Sequence, residues 1–507
     1  RYGPNAFVLY GLPIPTRGRV TGILGPNGTG KSTAINILSG IFKPNLGSED
    51  TNWEDVIKHY AGSELQEYFR QVQKGGGIRI SIKPQYIDFI PKKFEGRVSE
   101  LLKRTDERGK LDELIARFKI ESIIERELID LSGGELQRVA IVACMAKDAD
   151  FYFFDEITPY LDVFQRINVA KLIRELAESK TVMVVEHDLA ILDLLADVIH
   201  ITYGKPGVYG VMTQPKGVRV GINEYLKGYL REENIRIRPE AIEFELHAPR
   251  PPAELASLAK YSAFSKGYNG FTLEVKGGRI RKGEVVGIVG QNGIGKSTFV
   301  KVFAGEIEPS SGEVDLDIKI SYKPQYLKAQ DLTVRELLRS LTEDIGLSYY
   351  INEILRPLQL EGLLDSNTMN LSGGELQRVA IAACLSRDAD MYILDEPSAH
   401  LDVEQRAQAT KALRRFAKNN DVSAMVVDHD IYMIDLLSDG LIVFSGEPTV
   451  HGEVFGPFEM RDGMNRFLKG LSITFRRDET KRPRINKPDS KLDREQKTNG
   501  EYYYVSK

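Results

Sequence analysis

Apolar positions along this chain fall into short runs, each ended by glycines or by a charged pair, and the same runs return in the same order. "VTGILGPNGTGKSTAINILSG" (Val20 to Gly40) and "VVGIVGQNGIGKSTFVKVFAG" (Val285 to Gly305) each read as an apolar strand, a glycine-rich loop and an apolar-periodic helix. "FYFFDE" (Phe151 to Glu156) and "MYILDE" (Met391 to Glu396) are buried-strand patterns that stop on two carboxylates, and "TVMVVEHD" and "SAMVVDHD" stop on His187 and His429. The segment "LSGGELQRVAI" occurs twice without a change, at Leu131 to Ile141 and Leu371 to Ile381, a separation of 371 − 131 = 240 residues. That spacing is far beyond a solenoid period of about 20 to 50 residues, so a whole α/β domain has been duplicated.

One interval breaks the symmetry. From the lysine of the glycine-rich loop to the glutamine of "KPQY", the first half takes 85 − 31 = 54 residues and the second 325 − 296 = 29. Within the longer interval, Trp53, Val56, Ile57 and Tyr60 fall at i, i+3, i+4 and i+7, and the pattern restarts at Leu65, Tyr68, Phe69 and Val72. A helix-loop-helix insertion over 45–78 is predicted, its two apolar stripes packing on each other and its outer face a candidate docking surface. The organisation expected is a first domain over 1–214, a linker over 215–255, a second domain over 256–449 and a basic tail over 450–507.

Both glycine-rich loops fit G-x-x-x-x-G-K-[ST] between strand and helix, the context a phosphate-binding loop requires. There Asn27, Gly28, Gly30 and Thr33, with Asn292, Gly293, Gly295 and Thr298, would wrap backbone N–H groups around phosphate. Lys31 or Lys296 would reach the terminal phosphates, and Ser32 or Ser297 would bind Mg²⁺. Asp155 and Asp395 are placed near that metal, and Glu156 and Glu396 where they can orient or deprotonate a water. Gln85 and Gln325 recur at the same spacing of 240.

Composition narrows the classes without naming one. The 507 residues are 42% hydrophobic and 28% charged with a net charge of −4, and no stretch of about 18 uncharged apolar residues is present, so no membrane-spanning segment is expected. The two cysteines, Cys144 and Cys384, sit at matching positions on the helices after the repeated segment, as buried thiols of a reducing intracellular setting. Arg1 rather than Met heads the chain and no signal-peptide pattern follows, which reads as a truncated start.

With these motifs assembled, both halves resemble ATP-binding cassette nucleotide-binding domains, with P-loop, Q-loop, "LSGGE" signature, Walker B strand, D-loop and switch histidine. The resemblance implies a head-to-tail tandem in which each signature caps the nucleotide on the other half's P-loop. Ser372, Gly373 and Gly374 would complete the site of Lys31, Ser32, Gln85, Asp155, Glu156 and His187. Ser132, Gly133 and Gly134 would complete that of Lys296, Ser297, Gln325, Asp395, Glu396 and His429. Both glutamines would also contact the metal, and Asp162 and Asp402 match the D-loop. Adenine stacking falls to Tyr2 or Phe7 in the first half and to Tyr268 or Phe271 in the second. Against the family pattern, Ile157 and Thr158 replace the usual proline and serine, and His400 replaces a tyrosine.

The insertion, the linker, "KPQY" in both halves and the tail "ITFRRDETKRPRINKPDSKLDREQK" make the chain similar to subfamily E of these proteins, the ribosome-recycling factors once called RNase L inhibitors. The resemblance implies ATP hydrolysis to ADP at two sites, a clamp that splits ribosomes and stays on the small subunit, a release-type factor as partner, a monomer and a cytoplasmic location. It also implies a cysteine-rich domain with two iron–sulfur clusters, for which these residues hold no ligands. Seven basic and three acidic residues from Arg476 to Lys491, with two prolines, exclude a long plain helix and leave two readings, a solvated surface segment or a strip on phosphate backbone. A transporter ATPase would need separate membrane subunits. A DNA-repair or chromosome-type ATPase would need a heptad-patterned coiled coil that these intervals are too short to hold.

Overall fold

The computed structural model describes residues 7–48, 50–74, 78–242, 256–268, 270–314, 316–325, 328–477 and 482–504. Its chain forms two compact units, Arg1–Glu243 and Phe244–Lys507. In the first, five parallel strands lie in the order Ile80–Lys83, Phe151–Asp155, Thr181–Val185, Val20–Leu24 and Val198–Lys205, extended by Tyr209–Met212 and Val8–Tyr10. The second repeats it with Ile320–Lys323, Met391–Asp395, Ser423–Val427, Val285–Val289 and Gly440–Glu447, then His451–Glu459, Phe271–Val275 and an added edge strand, Phe264–Tyr268.

The central strands are buried on both faces, which is why they read as unbroken apolar runs rather than alternating ones. Their register sets the chemistry. Pairing Asp155 with Val185, and Asp395 with Val427, stops adjacent strands at one level, so the carboxylate pairs and the histidines two residues beyond emerge at the same sheet edge as the glycine-rich loops.

The insertion folds as Trp53–His59 and Glu64–Gln73, the first capped reciprocally by Asn52 and Asp55. Its stripes do more than meet each other. Val56, Leu65, Tyr68 and Phe69 join Ala34, Ile35 and Leu38 of the P-loop helix and Phe151 and Phe153 of the sheet in one core, so the insertion is welded to the element that follows the phosphate loop.

Residues 216–236, within the expected linker, pack on the first unit. Lys216–Gly217 adds a strand, Val218–Lys227 a helix, and the buried Lys216 ammonium meets Glu224, Glu232 and Glu233. The basic tail is folded too. Phe475–Arg477, Pro483–Ile485 and Tyr503–Tyr504 form a three-stranded sheet beside the helix Lys491–Asn499. Arg477 and Arg482 are buried, Arg477 pairing with the fully buried Asp435, which Tyr503 also contacts. Neither tail reading accounts for these two arginines; Lys487 and Lys491 keep the exposure both readings require. Among the described residues no helix is long and apolar enough to cross a membrane.

Because burial raises the Asp435 carboxyl and Arg477 opposes that rise, Arg477→Met leaves a buried charge uncompensated and should destabilise the second unit by about 3–5 kcal/mol. Exposed Arg494→Met should stay within about 0.5 kcal/mol. Calorimetric unfolding of the two variants makes the comparison.

Candidate functional site

Each unit builds the same cradle. The P-loop turns on left-handed glycines, Gly28 (φ 76°) and Gly30 (φ 89°) in the first unit and Gly293 (φ 72°) and Gly295 (φ 100°) in the second, conformations that cost a side-chain-bearing residue. Crowding excludes a side chain as well: a methyl on Gly30 would lie 2.8 Å from the Phe7 ring, and one on Gly295 3.0 Å from the Phe271 ring. Lys31 Nζ donates to the carbonyls of Gly25 (2.9 Å) and Pro26 (2.8 Å), and Lys296 Nζ to those of Gly290 (2.9 Å) and Gln291 (2.7 Å). The loop thus cups its own lysine at the start of the helix, where the helix dipole adds positive potential. Ser32 and Thr33, and Ser297 and Thr298, are half-buried in the first turn; Asn27 is exposed and Asn292 half-buried on the loop.

At the ends of the neighbouring strands stand the carboxylates. Ser32 Oγ donates to Asp155 at 2.8 Å, Gln85 Nε2 to Glu156 Oε1 at 2.7 Å, and His187 Nε2 lies 3.7 Å from the same oxygen. In the second unit both Asp395 carboxylate oxygens are buried without a hydrogen-bond partner among the described residues, and His429 Nε2 lies 3.5 Å from Glu396 Oε1. Both glutamates are left-handed, φ 52° and 49°, a conformation held only where the surroundings over-determine it. The buried Asp155 Oδ1 has no hydrogen-bond partner among the described residues. An unsatisfied carboxylate oxygen beside a serine hydroxyl and an amide is a hard-oxygen donor set of the kind Mg²⁺ takes.

The electrostatics differ between the copies. Burial, then the charges of Asp155 and Glu186, pushes Glu156 up to about 7. Burial acts the same way on Glu396, but the hydrogen bond and charge of His429, with Lys296 and Gln325, outweigh it and hold that group at about 2. Burial also pushes Asp395 up to about 6 and raises Asp155.

The repeated "LSGGE" forms a capping box: Ser132 and Glu135, and Ser372 and Glu375, bond reciprocally at the start of Gly133–Ala146 and Gly373–Leu385. Gly133 and Gly134, and Gly373 and Gly374, supply the first-turn N–H groups that a helix leaves without internal partners. Tyr160 lies against Gly133 and His400 against Gly373, so the histidine departure keeps the tyrosine's place. Asp162 and Asp402 cap the next helices through Gln165 and Gln405. Tyr268 is half exposed, across from Phe271 in the strand pair, and Tyr2 lies outside the described residues.

Three pairs escaped the sequence reading. Lys83 and Lys323 are buried beneath the carboxylates. Gln137 and Gln377, inside the repeated eleven residues, donate to the Glu156 carbonyl at 2.9 Å and the Glu396 carbonyl at 2.6 Å. Glu186 accepts from Ile157 N, Thr158 N, Thr158 Oγ1, His187 N and Asp188 N. Asp428 does the corresponding work for Ser398 and Asp430, where Pro397 offers no N–H. A charge ending an apolar strand, repeated at matching spacing, was the available signal. The departure at Ile157 and the longer acid at Glu186 explain each other: the extra N–H needs an acceptor with greater reach.

The model of the family described as ABC transporter matches residues 15–159 and 276–399. Over 99% of this chain and 84% of its own length, an uncharacterized ABC transporter ATP-binding protein of Methanocaldococcus jannaschii is 56% identical. ABC transporter E family member 1 of Arabidopsis thaliana is 45% identical over 100% of this chain and 86% of its own. Among solved structures, the archaeal ribosome recycling factor aABCE1 in complex with the ribosomal stalk protein aP1 superposes with a TM-score of 0.95 at 54% identity, covering 100% and 98% of the two chains. A model of ribosome-bound archaeal Pelota and ABCE1 gives 0.94 at 55% identity, covering 99% and 86%.

Glu186→Gln would turn an amide donor toward N–H groups that now meet a carboxylate, and should destabilise the first unit by about 2–3 kcal/mol. Trp53, the sole tryptophan, sits in that unit and reports its denaturant unfolding by fluorescence.

Proposed function

The chain belongs to subfamily E of the ATP-binding cassette proteins, and on that premise we propose that it is an ATP-driven clamp of ribosome recycling, hydrolysing ATP at two sites. The observation that carries the reading is the full-length likeness to an archaeal ribosome recycling factor in a chain that keeps both hydrolytic sets, Lys31 with Glu156 and Lys296 with Glu396.

In this reading Lys31 and Lys296 leave their loop carbonyls for the terminal phosphates of ATP, and the P-loop N–H groups of Asn27 to Thr33 and Asn292 to Thr298 hold the remainder. Phe7 supplies an aromatic face for adenine in the first unit, and Phe271 or Tyr268 does so in the second. Ser32, Gln85 and Asp155, and Ser297, Gln325 and Asp395, would hold Mg²⁺, which when bound neutralises phosphate charge. Glu156 and Glu396 orient and deprotonate water, and His187 and His429 steady those carboxylates and sense the terminal phosphate. Ser372, Gly373 and Gly374 complete the first site and Ser132, Gly133 and Gly134 the second, so two ATP molecules favour a closed state and hydrolysis reopens it. Driving such a clamp from about 1% to 99% closed needs roughly 5.5 kcal/mol of differential binding, within reach of two phosphate groups gripped by charge-assisted bonds.

The partners proposed are the small ribosomal subunit and a release-type factor bound to the ribosome, and the location is cytoplasmic. Iron–sulfur clusters, expected of the family's cysteine-rich domain, are assigned to no residue here. Cys144 and Cys384 are buried, with thiols that burial pushes up to about 12 and about 11, as suits packing rather than ligation.

The test is Glu156→Gln with Glu396→Gln. ATP should still bind, hydrolysis should fall by about 10² or more, and the variant should co-sediment with small ribosomal subunits in ATP as the parent does with a non-hydrolysable analogue. Hydrolysis near the parent rate would refute the roles given to the glutamates, and retention indifferent to nucleotide would refute the clamp.

A further inference from the structure

The lysine of "KPQY" ends the strand beside each carboxylate strand, Lys83 opposite Phe154 and Lys323 opposite Leu394. Both side chains are almost wholly buried, at 0% and 1% exposure. An ammonium removed from water carries a heavy desolvation cost, and a polar but neutral residue could end the strand without it. Burial pushes both lysines down to about 8, against the pull of the carboxylates.

What the ammonium groups hold is the backbone of the catalytic turn. Lys83 Nζ donates to the carbonyl of Asp155 at 3.0 Å and to that of Glu156 at 2.6 Å, the two peptide oxygens flanking the Glu156 Cα. Fixing both peptide planes fixes φ and ψ between them, and these are the dihedrals that stand in the left-handed region. In the second unit the grip is divided: Lys323 Nζ takes the Asp395 carbonyl at 2.9 Å and that of Pro324 at 3.0 Å, while Gln377 takes the Glu396 carbonyl at 2.6 Å. In the first unit Gln137 adds bonds to Glu156 and Ile157 at 2.9 and 3.0 Å.

We propose that Lys83 and Lys323, helped by Gln137 and Gln377, are positioning residues for ATP hydrolysis, each ammonium locking the strained turn that aims the adjacent glutamate at its water. The inference rests on Glu156 and Glu396 being the hydrolytic carboxylates. It makes the Q-loop strand and the signature helix joint supports of one peptide. It also ranks the contacts: Lys83 secures both flanks of its glutamate, Lys323 only one, so the second unit depends more on Gln377.

The full chain with Lys83→Met and Lys323→Met, assayed in Mg·ATP, should lose about 10- to 100-fold in kcat, the scale of an ångström-level misplacement, with KM within about threefold of the parent. Lys83→Gln with Lys323→Gln, which restores donors without the charge, should recover most of that loss. Should the methionine variant fail to fold, as judged by cooperative thermal unfolding, Gln377→Leu and Gln137→Leu supply the second measurement, the former costing more kcat. Unchanged kcat in the methionine variant, kcat and KM moving together, or a glutamine variant no better than methionine would overturn the proposal. Hydrolysis that survives Glu156→Gln with Glu396→Gln would instead remove the reading beneath it.

Discussion

Two carboxylates side by side at the end of a buried strand are the constraint around which each unit is organised. Asp155 and Asp395 are buried and Glu156 and Glu396 only partly exposed, and at an effective dielectric near 20 two like charges about 5 Å apart repel by roughly 3 kcal/mol. The neighbouring elements answer that repulsion. The P-loop brings Lys31 and Ser32, the Q-loop strand Lys83 and Gln85, and the following strand His187. The negative charge that remains, with the lysines beside it, suits the site to a metal and a polyphosphate, ligands whose own opposite charges can be shared out among these groups.

How legible this was in the sequence depended on whether a residue's work is local. Phosphate loops, strand-ending carboxylates and the repeated eleven residues were readable because loop geometry, strand ends and a capping box are each specified within a few neighbours. The insertion's helices followed from their period, but their docking on the P-loop helix did not, since periodicity shows that a face is apolar and not what covers it. The basic tail was the hardest part. Charge counts cannot tell a solvated arginine from Arg477, whose partner Asp435 lies 42 residues earlier (477 − 435) on the helix after the switch histidine. Lys83 was hidden for the same reason: its partners are carbonyls 72 and 73 residues away.

The two units are copies with consequences of their own. Ile157 with Glu186, against Pro397 with Asp428, shows one substitution accommodated by another across the same turn. Burial pushes the Glu156 carboxyl up, and in both units a histidine stands close to the glutamate, at 3.7 Å and 3.5 Å.

Why the signature must be present twice is the centre of the account. Within its own unit the segment already has work: Ser132 is an N-cap, Gly133 meets Tyr160, Gln137 holds the Glu156 carbonyl, and in the second copy a side chain on Gly374 would lie 2.8 Å from the His400 carbonyl. The proposed clamp adds a second use, service to the other unit's nucleotide. The direct measurement is site-resolved nucleotide trapping in Ser372→Arg, reading photolabelled ATP separately on the peptides that carry Lys31 and Lys296. The account predicts that label is lost from the Lys31 peptide and kept on the Lys296 peptide; loss confined to the Lys296 peptide would contradict it.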